Sequence, residues 1–476
     1  MERIYFDKQI FSYLFKGTDP VYQKFLNDLY SNKKNFLYCY SHGHLLDLKN
    51  DPSDIKYKEL EFIETLVGDN YLSYHAANKT TSAYLAKPLE AFKDVEIEEE
   101  PFSLTNLFDN IDLSLTTPEE NEKIALAKDA LLNHKLDFGF LQSEVIAGEQ
   151  NKILSKVLPF GNSSMTLVEW SEHLMDFLKL MQEDKSVYKE LRIIADKYIN
   201  NKKYPIDIND IDFNDDLKNS VLQKTFIEYV NGNLNPNGGK EITNYDFFIN
   251  AYFTLDLLGI SKEPSKSVKF RSLLNDGYHS YYGAFCDYVV SGDNGFLKKT
   301  KAMYKLLNIK TKVYHIEEFI EYFYLLSRTE NDSKTFFDLL INDIQNGLVI
   351  NSRQAITNDR FTTTIKPFHN YFGYFNMLEN ITENNRNYIF LSRKTENYSY
   401  FSFYREYQGV INKAVKLFGI DNNLKGEFEW EKEIDEINKK TWKGRTWNLG
   451  HITLIIEINS GTEKLSLLIL FPETQK

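Results

Sequence analysis

Four aspartates at the ends of short apolar runs are the residues of this chain best suited to chemistry. Asp7 ends the run "RIYFD", and Asp47 follows Ser41 by six residues in "SHGHLLDL". Asp276 lies in "NDGYHS" with His279 three residues on, and Asp293 ends "YVVSGD", 17 residues after Asp276. An uncompensated carboxylate beside a buried strand is costly, and several that converge cannot all stay ionised without a counter-charge. A hard divalent cation supplies one, and all-oxygen ligation with open positions suits Mg²⁺ or Mn²⁺ rather than zinc. Such an ion activates water and clamps a phosphodiester for in-line displacement. The expected chemistry is therefore that of a metal-dependent nuclease. Asp7, Asp276 and Asp293 are the expected ligands, and Asp47 completes the set or positions the water.

Neighbouring residues suit supporting roles. The Ser41 and Ser291 hydroxyls can hydrogen-bond the carboxylates or a water, and His279 can orient a carboxylate or face a phosphate. Asp287 is a weaker candidate, because it begins the strand that Asp293 ends and can serve as a turn residue on the far side of the sheet. His42 and His44 flank Gly43 near Asp47, with imidazole coordination the lesser reading. Between Lys262 and Lys312, ten lysines and arginines face four acids, although the chain carries a formal charge of −12. Within that stretch Lys298, Lys299 and Lys301 directly follow Asp293 and can draw backbone phosphates toward it. The plain alternative is a solvated helix face. Tyr281, Tyr282 and Phe285 could stack a base, but their helical spacing favours the core.

The elements that must position these residues alternate. "RIYFD" and "NFLYCYS" read as strands, each followed by a helix; further helices cover "VYQKFLNDLYSNKK" and "KYKELEFIETLVGDN". The alternation lapses over about 74–165, and 166–200 reads as one long helix with Thr166 as its cap. The acidic "DINDIDFNDD" lacks the Gly and terminal Glu of a calcium loop and reads as a loop leading into a helix over 216–231. Alternation resumes with a helix opened by Asp276, the strand "YVVS", a helix, the strand "TKVYHI" and a last helix. This pattern predicts an α/β fold with a parallel sheet, whose strand ends converge on one crevice. Beyond 331 the aromatic segments "NYIFLSR" and "YSYFSFY" and the hairpin "HITLIIEIN–SGTE–KLSLLILF" predict a separate α+β domain.

The order of these motifs resembles the PIN-domain superfamily of metal-dependent nucleases. "IYFDKQIFSYL" is similar to its first acid-bearing strand, "SHGHLLDL" to its second segment with Asp47 in place of the usual Glu, and "NDGYH" and "VVSGDNGF" to its third and fourth acids. The resemblance covers about 1–75 and 265–325. It implies a PIN-like parallel-sheet domain in two parts, 1–75 and 265–330, split by a large, mainly helical insertion over 76–264 and followed by an α+β domain over 331–476. It also implies hydrolysis of nucleic acid, single-stranded RNA above all. A regulated toxin or phage-defence effector would account for the size, with the insertion or the C-terminal domain serving a protein regulator or an oligomer. A structure-specific DNA nuclease and a non-catalytic PIN-like scaffold or sensor are the alternatives.

Composition bounds the rest. Hydrophobic content of 42 % with 31 Tyr and 35 Phe supports real cores over a length that suits more than one domain. Two cysteines, Cys39 and Cys286, exclude a disulfide scaffold and fit a reducing, cytoplasmic setting. No run approaches the roughly 20 apolar residues that span a bilayer, so no membrane partner is expected.

Overall fold

The computed structural model describes residues 1–97, 270–326 and 332–472, apart from 356–358, 385 and 396–397, and shorter stretches between 98 and 269, chiefly 184–198, 212–235 and 241–261. The chain divides into two compact units, 1–95 with 278–476, and 96–277. Among the described residues no helix is long and apolar enough to cross a membrane.

The first unit is mixed α/β. Its first sheet takes strands β1 (Glu2–Phe6), β2 (Phe36–Ser41), β3 (Asn70–His75) and β4 (Thr80–Leu85) and, after two short strands in the other unit (β5, Lys135–Asp137; β6, Ser164–Thr166), β7 (Tyr288–Ser291) and β8 (Lys312–His315). The order is β4-β3-β2-β1-β7-β8, parallel throughout except for the β3–β4 hairpin. Every residue of β1, β2 and β7 is buried. Central parallel strands covered on both faces read as unbroken apolar runs, which made these three legible. The helices Lys8–Lys16, Ile55–Val67 and Ile316–Leu326 supply Phe11, Leu60 and Phe319 to one core with Ile4 and Phe6 of β1.

The chain winds outward from β1 through β2 to β3, then returns to the other side of β1 for β7 and β8. The β1/β7 junction is thus a topological switch point, where the loops leaving the two strands part and open a crevice. Register across it pairs Ile4 with Tyr288 and Phe6 with Val290.

The remainder of this unit is an antiparallel sheet of β9 (Leu348–Gln354), β10 (Arg360–Lys366), β11 (Met377–Glu383), β12 (Arg386–Ser392), β13 (Arg445–Leu449), β14 (Ile452–Ile458) and β15 (Leu465–Leu470). Its order is β13-β14-β15-β12-β11-β10-β9. The helices Ser333–Asn346 and Tyr404–Phe418 pack on it through Phe336, Leu340, Val410 and Ile411. Buried Arg3, in the middle of β1, ties the first sheet to the helix Tyr404–Phe418 that packs on the second. Its Nε and Nη2 donate to the two oxygens of Glu406 at 2.8 Å each, and its guanidinium lies 4.6 Å from the centre of the Phe403 ring.

Several local expectations change. Thr166 ends β6 instead of capping a helix, and the helix described in that region runs Lys185–Tyr198 after Asp184; most of 167–183 lies outside the described residues. The helix expected over 216–231 is Phe226–Leu234, started by a capping box of Thr225 and Glu228, because that pair satisfies the first-turn amides. Asp276 does not open its helix, which runs Phe270–Gly283. Asn275-Asp276-Gly277 carries local turn chemistry, but burial of Leu273 and Tyr281 along one face carries the helix through it. "YSYFSFY" is no strand: Arg3 takes the Ser399 hydroxyl and the Phe401 carbonyl (3.0 Å), so the segment wraps the guanidinium. The hairpin over β14 and β15 forms as expected, with Ile458 opposite Leu465.

Candidate active site

Asp7 is the first residue beyond β1, at the N-cap position of the helix Lys8–Lys16. Its backbone N–H still donates across the switch point to the Val290 carbonyl, at 2.9 Å. Ser291, fully buried at the end of β7, donates from Oγ to Asp7 Oδ2 at 2.7 Å and accepts from the Asp293 amide at 3.0 Å. One hydroxyl therefore ties the ends of both central strands. The pKa of Asp7 is raised. Burial is the main cause and the Asp47 charge adds to it, while His279, the Ser291 hydroxyl and the Gln9 amide pull the other way.

Asp47 approaches from the helix His42–Lys49, which starts where β2 ends. Ser41 Oγ accepts from the Gly43 amide at 3.2 Å and His44 Nδ1 from the Ser41 amide at 3.0 Å, a reciprocal cap that sets the direction of the helix. Asp47 Oδ2 accepts from His279 Nε2 at 2.9 Å. His279, 1 % exposed, comes from the helix Phe270–Gly283. The two helices pass closely at Gly43, where a Cβ would meet Tyr278 Cβ at 3.3 Å and His279 Cε1 at 3.5 Å. A side chain there would press on the contact that holds Asp47 and His279 together.

Behind them lies a buried polar chain. The Tyr5 hydroxyl lies 2.8 Å from His279 Nδ1 and 2.7 Å from Ser41 Oγ. The partners assign the protons. Ser41 donates to Tyr5, Tyr5 to His279 Nδ1, and His279 Nε2–H to the Asp47 carboxylate. His44 accepts at Nδ1 from Ser41, so its Nε2–H donates to the Phe6 carbonyl at 2.8 Å. Burial holds the His44 pKa well below its ordinary value. His44 is thus a neutral structural histidine with both nitrogens engaged, which removes it as a metal ligand. His44 was a minority candidate for coordination by sequence, whereas Tyr5 was not a candidate; the only hint was that Tyr5 puts a polar tip on the β1 face opposite Ile4 and Phe6.

The remaining candidates divide. Asp293 is exposed and caps the helix Asn294–Leu306, with Oδ1 accepting from the Gly295 and Phe296 amides at 2.7 and 3.0 Å. One of its oxygens therefore serves the fold. Asp276 lies one turn before His279 on their shared helix, across the boundary between the two units. Asp287 is not brought to the cluster. It sits before β7, at the opposite end of the strand, and its Oδ2 accepts from Arg393 Nη2 (2.7 Å) and the Arg3 amide (2.8 Å). Lys298 and Lys301 are exposed one turn apart, but Lys299 is fully buried, so it cannot meet a phosphate on the surface. Tyr281, Tyr282 and Phe285 are core residues, 2, 1 and 3 % exposed, which leaves no ring face for a base.

Among the described residues no three His, Cys, Asp or Glu side chains are gathered closely enough to hold an ion. The donor chemistry nevertheless fits a hard cation. Mg²⁺ commonly takes one or two carboxylates and completes its shell with water and substrate phosphate. Asp7 and Asp47 are two carboxylates near enough for one charge to raise the pKa of the other. Comparison with family models, curated proteins and solved structures finds no match to this chain.

Proposed function

We propose that this chain is a metal-dependent endonuclease of the PIN type, acting on RNA. The observation that carries the reading is the Ser291–Asp7 hydrogen bond at the switch point, with Asp47 and its partner His279 close enough for their charges to act on Asp7. The parallel order β3-β2-β1-β7-β8 is consistent with the resemblance noted in the sequence. In this reading Asp7 and Asp47 hold a Mg²⁺ or Mn²⁺ ion, which when bound supplies water activation and charge neutralisation at the phosphate. Ser291 fixes the Asp7 carboxylate. His279, itself held by Tyr5, fixes Asp47. Lys298 and Lys301 hold the phosphate backbone through sequence-independent contacts.

The test is cleavage of labelled single-stranded RNA and DNA by the full chain with Mn²⁺, Mg²⁺ or EDTA. Metal-dependent cutting of RNA supports the reading, and cutting of DNA alone moves it to the DNA nuclease. Intact substrates together with no Mn²⁺ binding by calorimetry would leave a non-catalytic scaffold.

His279 is a positioning residue, and its replacement separates the site from the fold. Partners that orient metal ligands typically account for about 10- to 100-fold in affinity or activity. His279→Gln is expected to weaken Mn²⁺ binding, measured by calorimetry, by a factor in that range with an unchanged circular dichroism spectrum. An unchanged affinity would mean that Asp47 needs no such support or holds no metal.

A further inference from the structure

A second concavity lies at the opposite end of the same parallel strands, where they begin and meet the antiparallel sheet. It has a volume of about 550 Å³, within the range of small-molecule sites. Four lysines line it: Lys310 and Lys312 from the start of β8, Lys366 at the end of β10, and Lys394 just beyond β12. All four are exposed. Two acids, Asp287 and Glu2, share the wall and are outnumbered by the lysines, and the Glu2 charge favours the protonated form of Lys312. Asp287 is already paired with Arg393 at 2.7 Å. Glu2 is buried, accepts from Tyr288 Oη (3.0 Å) and Asn370 Nδ2 (2.6 Å), and has its pKa raised by burial and then by the Asp287 charge. The cleft is therefore cationic in a protein of net charge −12. Its lining also includes Phe368, which is 67 % exposed.

Separated ammonium groups lining one nucleotide-sized cavity, with an exposed aromatic side chain among them, match a ligand that joins a phosphate chain to a planar base. We infer that this cleft binds a nucleoside polyphosphate, its phosphates against Lys310, Lys312, Lys366 and Lys394 and its base on Phe368. The site shares no residue with the Asp7–Asp47 cluster and lies at the other end of the strands. A ligand there would touch both sheets of the unit at once and brace their junction.

The test is calorimetric titration of the full chain with ATP in EDTA, which keeps metal-dependent binding at the other strand ends out of the measurement. Saturable one-to-one binding with a Kd on the order of 10⁻⁵ M is expected. The double substitution Lys366→Glu with Lys394→Glu is expected to weaken it about tenfold or more, since charge-assisted contacts to phosphate are lost. Both side chains are exposed, and Lys310→Glu serves as a second variant should the double one fail to fold. Phe368→Ala is expected to weaken ATP but not inorganic tripolyphosphate, and Asp7→Asn to leave both unchanged. No binding of ATP at about 1 mM would overturn the inference. Equal affinity in the charge-reversed protein, or loss of binding in Asp7→Asn, would also overturn it.

Discussion

Asp7→Asn is expected to lower RNA cleavage by roughly 10²- to 10³-fold, the scale on which removing one preorganised electrostatic group from a reacting centre acts. The substitution keeps the shape of the side chain, and an asparagine oxygen can still accept from Ser291 Oγ, now 2.7 Å from Asp7 Oδ2. It removes only the charge. That charge is unfavourable in the folded protein, because burial first and Asp47 second raise the Asp7 pKa. The neutral variant should therefore melt at the same temperature as the wild type or higher. Lost cleavage with retained or increased Tm is the signature of a residue kept for chemistry at a cost in stability. Cleavage at the wild-type rate would remove Asp7 from the site, and a Tm several degrees lower would assign its role to the fold.

The second large effect concerns the junction of the two sheets. Glu406→Ala strips buried Arg3 of both charge-assisted hydrogen bonds. Breaking one side of a buried pair costs about 3–5 kcal/mol, because the remaining charge stays desolvated. Chemical denaturation should show that loss, and a change under 1 kcal/mol would mean that water or a neighbour replaces Glu406. The double variant Arg3→Met with Glu406→Leu should recover much of it, since an apolar pair leaves no orphaned charge.

The same pair makes stability depend on pH. Burial alone would raise the Glu406 pKa, but Arg3 and then its neighbouring positive groups bring it down to about 2 from an ordinary 4.5. A depressed folded pKa means that the unfolded chain binds the proton more readily. The contribution, roughly 3 kcal/mol by that shift, is complete above about pH 4.5 and is lost as pH falls toward 2. Acid unfolding of Glu406→Gln should lack this component. The pair also governs how any restraint by residues 331–476 can be examined. Deleting them would orphan Arg3 in β1, the strand that leads directly into Asp7, so point substitutions on the C-terminal sheet are the informative route.

The amino-acid sequence by itself determined the central strands and the placement of Asp7 and Asp47. β1, β2 and β7 are buried on both faces, and continuous apolar runs report that condition directly. An acid one residue past a strand, or on the helix that follows, inherits its position from the local element. The hairpin of β3 and β4 was not legible, because "TTSAYL" forms the sheet edge and "NYLSYH" lies next to it, with little of either strand buried. Only the tertiary structure decided which groups meet. Tyr5 and His279 are 274 residues apart, and Ser291 and Asp7 are separated by 284. It also set Asp287 against Arg393, spent one oxygen of Asp293 on a helix cap and buried Lys299. Spacing along a chain reports the face of one element, whereas hydrogen bonds and ion pairs depend on distances across the fold, which the order of strands sets and local pattern does not encode.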